Sequence, residues 1–158
     1  MKYFAGVDLG GTDIKYGLMS EVGKIIENGK VSTPSGKDYS ETVITIVSVV
    51  RGMAEKQGAP ICGLGIGAPG VADGENGILR TSGNLGWENK PLAEDLSAML
   101  GVPVVLTNDA NAAAYGEYTC GAGKQYNSIV LITLGTGVGS GIVLSGKLFE
   151  GNEGAGAE

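Results

Sequence analysis

Near its start the chain reads VDLGGTDIKYG, from Val7 to Gly17. This stretch sets an apolar strand end, a glycine turn and the beginning of a second strand side by side. A turn between two strands needs only the glycines, whose backbone freedom suits tight turns. Asp8, Thr12 and Lys15 add a carboxylate, a hydroxyl and an ammonium. They raise the alternative of a phosphate-binding turn, and the remainder of the chain has to decide between the two interpretations.

The composition is that of a globular protein. The chain has 158 residues, of which 42% are hydrophobic and 18% charged, so it can bury a core of its own. The formal net charge is −6 and no dense Lys/Arg run occurs, which argues against a nucleic-acid or an anionic-membrane partner. No apolar run approaches the ~20 residues of a membrane span, and no secretory leader is evident. We therefore expect a cytoplasmic protein.

Histidine and cysteine usage narrows the chemistry. Histidine is absent, which excludes a Ser-His-Asp triad and any His-ligated metal within the chain. Cys62 and Cys120 are far apart and form no CxxC pair, so we interpret them as reduced and mostly buried thiols.

Periodicity and turn residues predict an α/β protein. The predicted strands cover 2–9, 14–20, 23–33, 59–70, 102–109 and two strands within 128–151, and the predicted helices cover 37–58, 91–100 and 110–121. We expect a polar loop over 71–89. The order βββαβαβα followed by ββ predicts a mixed sheet with helices packed on it.

Two glycine hairpins resemble each other within the chain. VDLGGTDIKYGLM and ITLGTGVGSGIVL both run from an apolar strand through Leu-Gly and a polar glycine turn into another strand. They are consistent with equivalent hairpins of two related half-structures, and chance similarity between two glycine turns is the alternative.

Three glycine motifs compete as phosphate-binding elements. A Walker A loop needs Gly-Lys followed by Ser or Thr, and no Gly-Lys pair here is followed by either. GIGAPG matches G-x-G-x-x-G at Gly65, Gly67 and Gly70, but turn residues follow it where a dinucleotide fold needs a helix. The two hairpins remain, and facing each other they would clamp the phosphates of ATP through backbone amides. Asp8 would then hold Mg²⁺ through its waters. Lys15 fits either a phosphate contact or a solvated strand position.

Asn108-Asp109 lies where a predicted strand passes into a predicted helix. A short polar residue at such a junction is commonly an N-cap. The carboxyl end of a strand is also where α/β sheets bind ligands, and the helix dipole favours an ionised Asp109. Both interpretations stay open on this pattern alone.

Five segments stand out along the chain, namely DLGGTDIK, GIGAPG, NLGW, NDANAAAYGE and LGTGVGSGIV. In this order and spacing they resemble the ROK (repressor, ORF, kinase) family, most closely its bacterial glucokinases. The resemblance implies an actin-like ATPase (ribonuclease H-like) fold, in which two lobes close on ATP and Mg²⁺. It implies an amino-terminal lobe over 1–118 and the start of a second lobe over 119–158.

The resemblance also assigns roles to individual residues. It makes Asp109 the catalytic base that assists phosphorylation of a hexose such as glucose. The implied substrate-binding residues are Asn108, Asp109, Glu158, Gly70 and Asn84. The implied cofactor-binding residues are Asp8, Gly10, Gly11, Thr12, Lys15, Gly135, Thr136 and Gly137, with Asp8 serving Mg²⁺ through water. We interpret Trp87 as a packing residue and Glu117 as a helix surface residue.

The sequence departs from the family pattern where it ends. Glu158 matches the first position of an E-x-G-H motif, whose remainder does not follow, and neither does the family's cysteine-rich zinc site. We therefore expect this chain to be an incomplete part of a kinase, with no zinc site in it, and turnover by the chain alone stays open. Kinases for fructose, mannose, N-acetylglucosamine or N-acetylmannosamine are alternatives, as is a non-catalytic ATP-binding module. A homodimer stays open, and the absence of a preceding helix-turn-helix argues against a repressor.

Overall fold

The computed structural model describes residues 1–135, 137–151 and 156. Its first three strands, β1 (Tyr3–Leu9), β2 (Asp13–Ser20) and β3 (Ile25–Ser32), form the predicted antiparallel meander. Leu9 and Ile14 are paired at the end of the first hairpin, and both are fully buried. The turn between them is therefore held on the protein core.

Helix α1 (Tyr39–Gln57) follows the meander, as predicted. Asp38 caps it by accepting a hydrogen bond from the Glu41 amide at 2.8 Å, and Gly58 ends it in the left-handed conformation at φ 67°. Its apolar residues recur at helical spacing and face the core, namely Val43, Ile46, Val47, Val50 and Met53.

The remaining elements complete a five-stranded mixed sheet and two small sheets. They are β4 (Ile61–Ala68), β5 (Val71–Asp73), β6 (Ile78–Ser82), β7 (Trp87–Lys90), α2 (Leu92–Leu100), β8 (Val104–Asn108), α3 (Asp109–Cys120), β9 (Ile129–Leu134), β10 (Val138–Leu144) and β11 (Lys147–Leu148). The large sheet has the order β3-β2-β1-β4-β8, with β4 parallel to β1 and β8 parallel to β4. The predicted α/β class with a mixed sheet is confirmed. Within the described ranges, no helix has the length and apolar character needed to cross a bilayer.

The prediction of a polar loop over 71–89 is wrong. Strands β5, β6 and β7 pair there as a small antiparallel sheet. The strands are short and rich in polar residues, so their sequence resembles that of a loop. Gly77 and Gly86 have positive φ and lie in the two hairpin turns that connect these strands. The sheet is stable because it buries Leu79 and Trp87.

Asp73 braces the same small sheet from inside. Its carboxylate accepts hydrogen bonds from the Asn76 amide at 3.0 Å and from Arg80 at 2.6 Å. The hydrogen bonds from Asn76, followed by the Arg80 guanidinium, hold the pKa of the Asp73 carboxyl below its ordinary value.

The prediction of mostly buried thiols is also wrong. Cys62 and Cys120 are both free and exposed. Cys62 lies on β4 at one of the positions that the core leaves uncovered, and Cys120 is the last residue of α3, where the helix leaves the core.

Helix α3 lies between β4 of the large sheet and β10 of the second hairpin, with small residues on both sides. A Cβ atom on Gly67 of β4 would lie 3.1 Å from the Ala112 Cβ, and one on Gly141 of β10 would lie 2.5 Å from the Ala114 Cβ. Glycine in the strands and alanine in the helix thus let α3 lie close to both sheets. The division into lobes at 118/119 stays a prediction.

Candidate active site

A cleft of about 1610 Å³ opens between the hairpins and the N-terminus of α3. Most of the predicted site residues that the structure describes line it, namely Asp8, Lys15, Gly70, Asn84, Asn108, Asp109, Gly135 and Gly137. Gly10, Gly11 and Thr12 lie in the turn that directly follows Asp8 and β1. Thr136 and Glu158 were also predicted as site residues, and they lie outside the described residues. The topology therefore brings together segments that are distant in sequence.

The first glycine turn is closed by its own backbone. The Gly10 amide donates to the Asp13 carbonyl at 3.0 Å, and a Cβ on Gly10 would lie 2.7 Å from that carbonyl oxygen. Only glycine fits this position without moving the turn. Thr33, just beyond β3, braces the turn, because its hydroxyl donates to the Gly10 carbonyl at 2.7 Å and its amide donates to the Thr12 carbonyl at 2.8 Å.

Asp8 and Lys15 face each other across this hairpin. They are paired residues of β1 and β2, and the Lys15 ammonium lies 3.2 Å from the Asp8 carboxylate. Their side chains are 51% and 67% exposed, respectively, so a ligand in the cleft can reach both charges. Lys15 is thus neither freely solvated nor buried, but forms an ion pair on the cleft wall.

The donor set around Asp8 is compatible with magnesium rather than with a metal bound by protein alone. Among the described residues, no three Cys, Asp or Glu side chains are grouped closely enough to hold a metal ion. Magnesium usually keeps several waters and takes one or two carboxylates together with phosphate oxygens. A single accessible carboxylate beside a glycine turn meets that requirement.

Asn108 caps helix α3, as one of the two interpretations of its sequence predicted. Its Oδ1 accepts hydrogen bonds from the amides of Ala110 at 2.8 Å and Asn111 at 3.2 Å. Its Nδ2 donates to the Gly70 carbonyl at 3.1 Å. Asn108 therefore fixes the Gly70 turn relative to the start of α3.

Gly70 occupies a position that no other residue fits. Its φ is 103°, and a Cβ there would lie 2.2 Å from the Thr81 carbonyl oxygen. The turn after β4 thus packs closely against β6, and in this conformation the Gly70 carbonyl accepts the hydrogen bond from Asn108.

Asp109 is the first residue of α3, and its exposed side chain lines the cleft. Its Oδ1 accepts a hydrogen bond from the Ala110 amide at 2.9 Å, which orients the carboxylate at the positive end of the helix dipole. Gly67 makes this placement feasible, because a Cβ there would lie 3.2 Å from the Asp109 Cα.

The second glycine turn presents bare backbone to the same cleft. The Gly135 amide donates to the Gly137 carbonyl at 2.9 Å. A Cβ on Gly135 or Gly137 would meet no atom within 4 Å, so these positions border open space. A ligand can approach the backbone of Gly135 and Gly137 closely.

The Asn84 turn contacts the first glycine turn. The Gly86 amide closes it by donating to the Ser82 carbonyl at 2.8 Å. A Cβ on Gly11 would lie 3.3 Å from the Asn84 carbonyl oxygen, and the Lys37 ammonium donates a hydrogen bond to that oxygen.

Trp87 is a packing residue, as predicted. It is 4% exposed, its indole N–H donates to the Lys37 carbonyl at 2.7 Å, and its ring meets Tyr39 edge-on at 5.1 Å. Burial, together with the hydrogen bond to Asp95, raises the pKa of Tyr39. Glu117 lies on the exposed surface of α3, also as predicted, and accepts a hydrogen bond from the Ala122 amide.

Sequence reasoning missed three residues beside the cleft: Thr33, Lys37 and Glu150. Glu150 lines the cleft and accepts a hydrogen bond from the Thr107 hydroxyl at 2.8 Å. The Thr33-Pro34 pair at the end of a predicted strand is a usable signal for a braced turn. Nothing local distinguishes Lys37 or Glu150 from other charged loop residues.

The comparison with known families decides the membership of this chain. The ROK family pattern matches residues 4–158. The chain belongs to the ROK family. A glucokinase of Thermotoga maritima is 43% identical over 154 residues, which are 97% of this chain and 48% of that protein. A glucokinase of Streptomyces coelicolor is 42% identical over 153 residues, which are 97% of this chain and 47% of that protein.

A solved structure extends the likeness to three dimensions. The ROK family glucokinase of Streptomyces griseus, in complex with glucose and AMPPNP, superimposes with a TM-score of 0.89 at 40% identity. The match covers 99% of this ROK chain and 49% of that one. The chain thus spans about half the length of the relatives it matches, and the expected actin-like fold of one lobe with a partial second is confirmed at that level.

Proposed function

We propose that this ROK chain binds Mg-ATP and a hexose, glucose foremost, in the cleft and takes part in phosphorylating a sugar hydroxyl. The observation that carries the proposal is that the Asp8–Lys15 ion pair beside the first glycine turn, Gly135 and Gly137 of the second turn, and the Asp109 carboxylate lie on one cleft. The likeness to glucokinases over the whole chain supports the same reaction class. Bound Mg-ATP would supply the transferred phosphoryl group, and its metal ion would neutralise the negative charge on the phosphate oxygens.

The nucleotide side of the cleft is built from backbone and one ion pair. The Gly10 and Gly135 amides close their own turns, so the amides of Gly11, Thr12 and Gly137 are the ones that would approach phosphate oxygens. Asp8 would hold the magnesium through water, and Lys15 would move its positive charge from Asp8 to phosphate. The exposure of both side chains supports this exchange of partners.

Asp109 is the group we assign to the sugar hydroxyl. An ordinary aspartic acid has a pKa near 3.9, so its carboxylate cannot fully deprotonate an alcohol before the reaction begins. It does not have to, because the phosphoryl transition state is loose and needs orientation and late proton acceptance. The Ala110 amide holds the Asp109 carboxylate for that task.

Three further residues would shape the sugar side. Asn108 has its Oδ1 committed to capping α3, so we infer that it orients Asp109 and the Gly70 turn as well as offering polar contacts. Gly70 and Asn84 lie on two different turns of the cleft wall and would contact sugar hydroxyls.

The test measures ADP release from Mg-ATP with glucose, mannose, fructose, N-acetylglucosamine and N-acetylmannosamine in turn. Glucose-dependent release would show that this chain is catalytic on its own, and Asp109→Asn should then lower kcat by roughly 10²- to 10⁴-fold. Glu94→Gln is the matched control, because Glu94 is an exposed carboxylate in the first turn of α2, away from the cleft. It should leave kcat unchanged.

Calorimetric titration with Mg-AMPPNP separates the remaining outcomes. Nucleotide binding without release from any sugar would fit an incomplete cleft as well as the non-catalytic ATP-binding alternative, and the same assay on a longer chain separates the two. An Asp109→Asn variant within a few-fold of the parent would remove the assignment of the base. Absence of nucleotide binding would contradict the proposal as a whole.

A further inference from the structure

Lys37 adopts a backbone conformation that disfavours lysine. It ends a short 3-10 turn, Ser35–Lys37, with a φ of 53°, in the left-handed region that glycine tolerates best. Residues held in such a region commonly mark places where the surroundings fix them for a purpose. The surroundings of Lys37 fix both its backbone and its side chain.

The backbone of Lys37 is anchored on the core. Its carbonyl accepts the hydrogen bond from the Trp87 indole at 2.7 Å, and Trp87 is itself buried against Tyr39. A buried indole N–H needs such a partner, so this contact holds the main chain at residue 37 in place.

The side chain of Lys37 reaches two turns of the candidate active site. Its ammonium donates to the Asn84 carbonyl, and it lies 3.5 Å from the position of a Cβ on Gly11. The ammonium therefore stands between the Asn84 turn and the first glycine turn. The described cleft lining includes Asn84 but not Lys37, so Lys37 would act through these turns rather than on a ligand.

We propose that Lys37 is a positioning residue that connects the Asn84 turn to the Gly10–Thr12 turn, so that a ligand bound at either turn changes the conformation of the other. This inference rests on the proposed function, in which the first turn serves the nucleotide and the Asn84 turn serves the sugar. This coupling is reciprocal by thermodynamic necessity. If bound nucleotide raises the affinity for sugar by a given factor, bound sugar raises the affinity for nucleotide by the same factor.

The experiment follows backbone amide signals of the 158-residue chain by NMR during titration with Mg-AMPPNP. The variants are Lys37→Met, which removes the ammonium, and Lys37→Arg, which restores a positive donor. Lys90→Met is the matched control, because the Lys90 ammonium lies 5.0 Å from the centre of the Tyr39 ring, and Tyr39 packs against Trp87, the partner of Lys37. In the parent chain, Lys37→Arg and Lys90→Met, we expect signals of both Gly11 and Asn84 to shift. In Lys37→Met, Gly11 should respond while the shift at Asn84 falls by roughly 2- to 10-fold.

The outcomes separate this inference from the proposed function. An Asn84 response that is unchanged in Lys37→Met, or absent from the parent chain while Gly11 responds, would overturn the inference. If neither the parent chain nor any variant responds at Gly10 and Gly11, the proposed nucleotide binding is wrong. Hydrogen exchange in the ligand-free chain then tests the positioning role of Lys37. Exchange of the Gly86 amide, which closes the Asn84 turn, should then be faster in Lys37→Met by roughly 2- to 10-fold and restored in Lys37→Arg. Equal exchange rates would leave Lys37 without a positioning role.

Discussion

The hairpin of β1 and β2 lies within the five-stranded sheet, whereas the hairpin of β9 and β10 belongs to a sheet of three strands. At the end of the first hairpin, Leu9 and Ile14 are fully buried. At the corresponding end of the second, Leu134 and Val138 are 82% and 75% exposed. The first turn carries an ion pair beside it, and the second borders the cleft with glycine backbone.

The difference separates what a local pattern decides from what packing decides. An apolar strand, Leu-Gly, a glycine turn and another strand produce an antiparallel hairpin in both places. Burial depends on which other elements cover the hairpin, and the pattern does not encode that. The hairpins are therefore alike in shape and unlike in stability, and each prediction below tests one aspect of this contrast.

The largest effect is expected from truncating the paired residues at the hairpin ends. Ile14→Ala removes a fully buried side chain and should lower the free energy of unfolding by about 2–5 kcal/mol. Val138→Ala removes a mostly exposed one and should change it by no more than about 0.5 kcal/mol. Equilibrium unfolding in urea measures both values.

A second pair, Leu9→Ala and Leu134→Ala, repeats the contrast on the partner strands. Equal losses for Ile14→Ala and Val138→Ala would break the comparison, because they would mean that the second hairpin is covered in solution. Dependence of that loss on protein concentration would identify a second copy of the chain as the cover, and a homodimer would then be the explanation.

A smaller effect is expected where the second hairpin meets α3. Gly141→Val places a side chain where a Cβ lies 2.5 Å from the Ala114 Cβ and 2.7 Å from the Ala110 carbonyl oxygen. Such overpacking should cost about 1–3 kcal/mol of unfolding free energy.

Gly137→Ala is the control in the same hairpin, because a Cβ there meets no atom within 4 Å. It should change the unfolding free energy by no more than about 0.5 kcal/mol. If Gly141→Val is equally silent in urea unfolding, α3 is not held against β10 as described, and the placement of Asp109 between the hairpins loses its support.

The same contrast explains how far the sequence could predict this protein. The hairpins, α1 and the capping by Asn108 follow from signals carried within a few residues, so they could be predicted. The small sheet over 71–90 could not, because its strands are short and polar, and the burial of Leu79 and Trp87 that stabilises them depends on the rest of the fold. The exposure of Cys62 depends on which face of β4 the rest of the fold leaves uncovered.

Within the candidate site, residues that carry a motif were predictable, and residues that support a motif were not. Asp8, Asp109 and the glycines stand in patterned segments, and most of them lie at one cleft. Thr33 and Lys37 contact the site through hydrogen bonds to carbonyl groups of distant residues. Because every residue has a backbone carbonyl group, no sequence pattern predicts such a contact.

The smallest effect on stability is expected from the charges that distinguish the first hairpin from the second. Lys15→Met breaks an exposed ion pair with Asp8 and should change the unfolding free energy by about 0.2–1 kcal/mol, less at high salt. Lys30→Met is its control, because Lys30 is about as exposed as Lys15 and forms an ion pair with Asp13 in the same meander, outside the described cleft lining. The two variants should therefore be alike in urea unfolding.

They should differ in nucleotide binding. Removing the Lys15 ammonium from the cleft wall should weaken binding of Mg-AMPPNP by roughly threefold to tenfold, since a charge-assisted contact to phosphate would be lost. Lys30→Met should leave the dissociation constant unchanged. Calorimetric titration of both variants checks this, and equal affinities would show that the charged turn serves the fold alone. The first hairpin would then differ from the second only in how deeply it is buried.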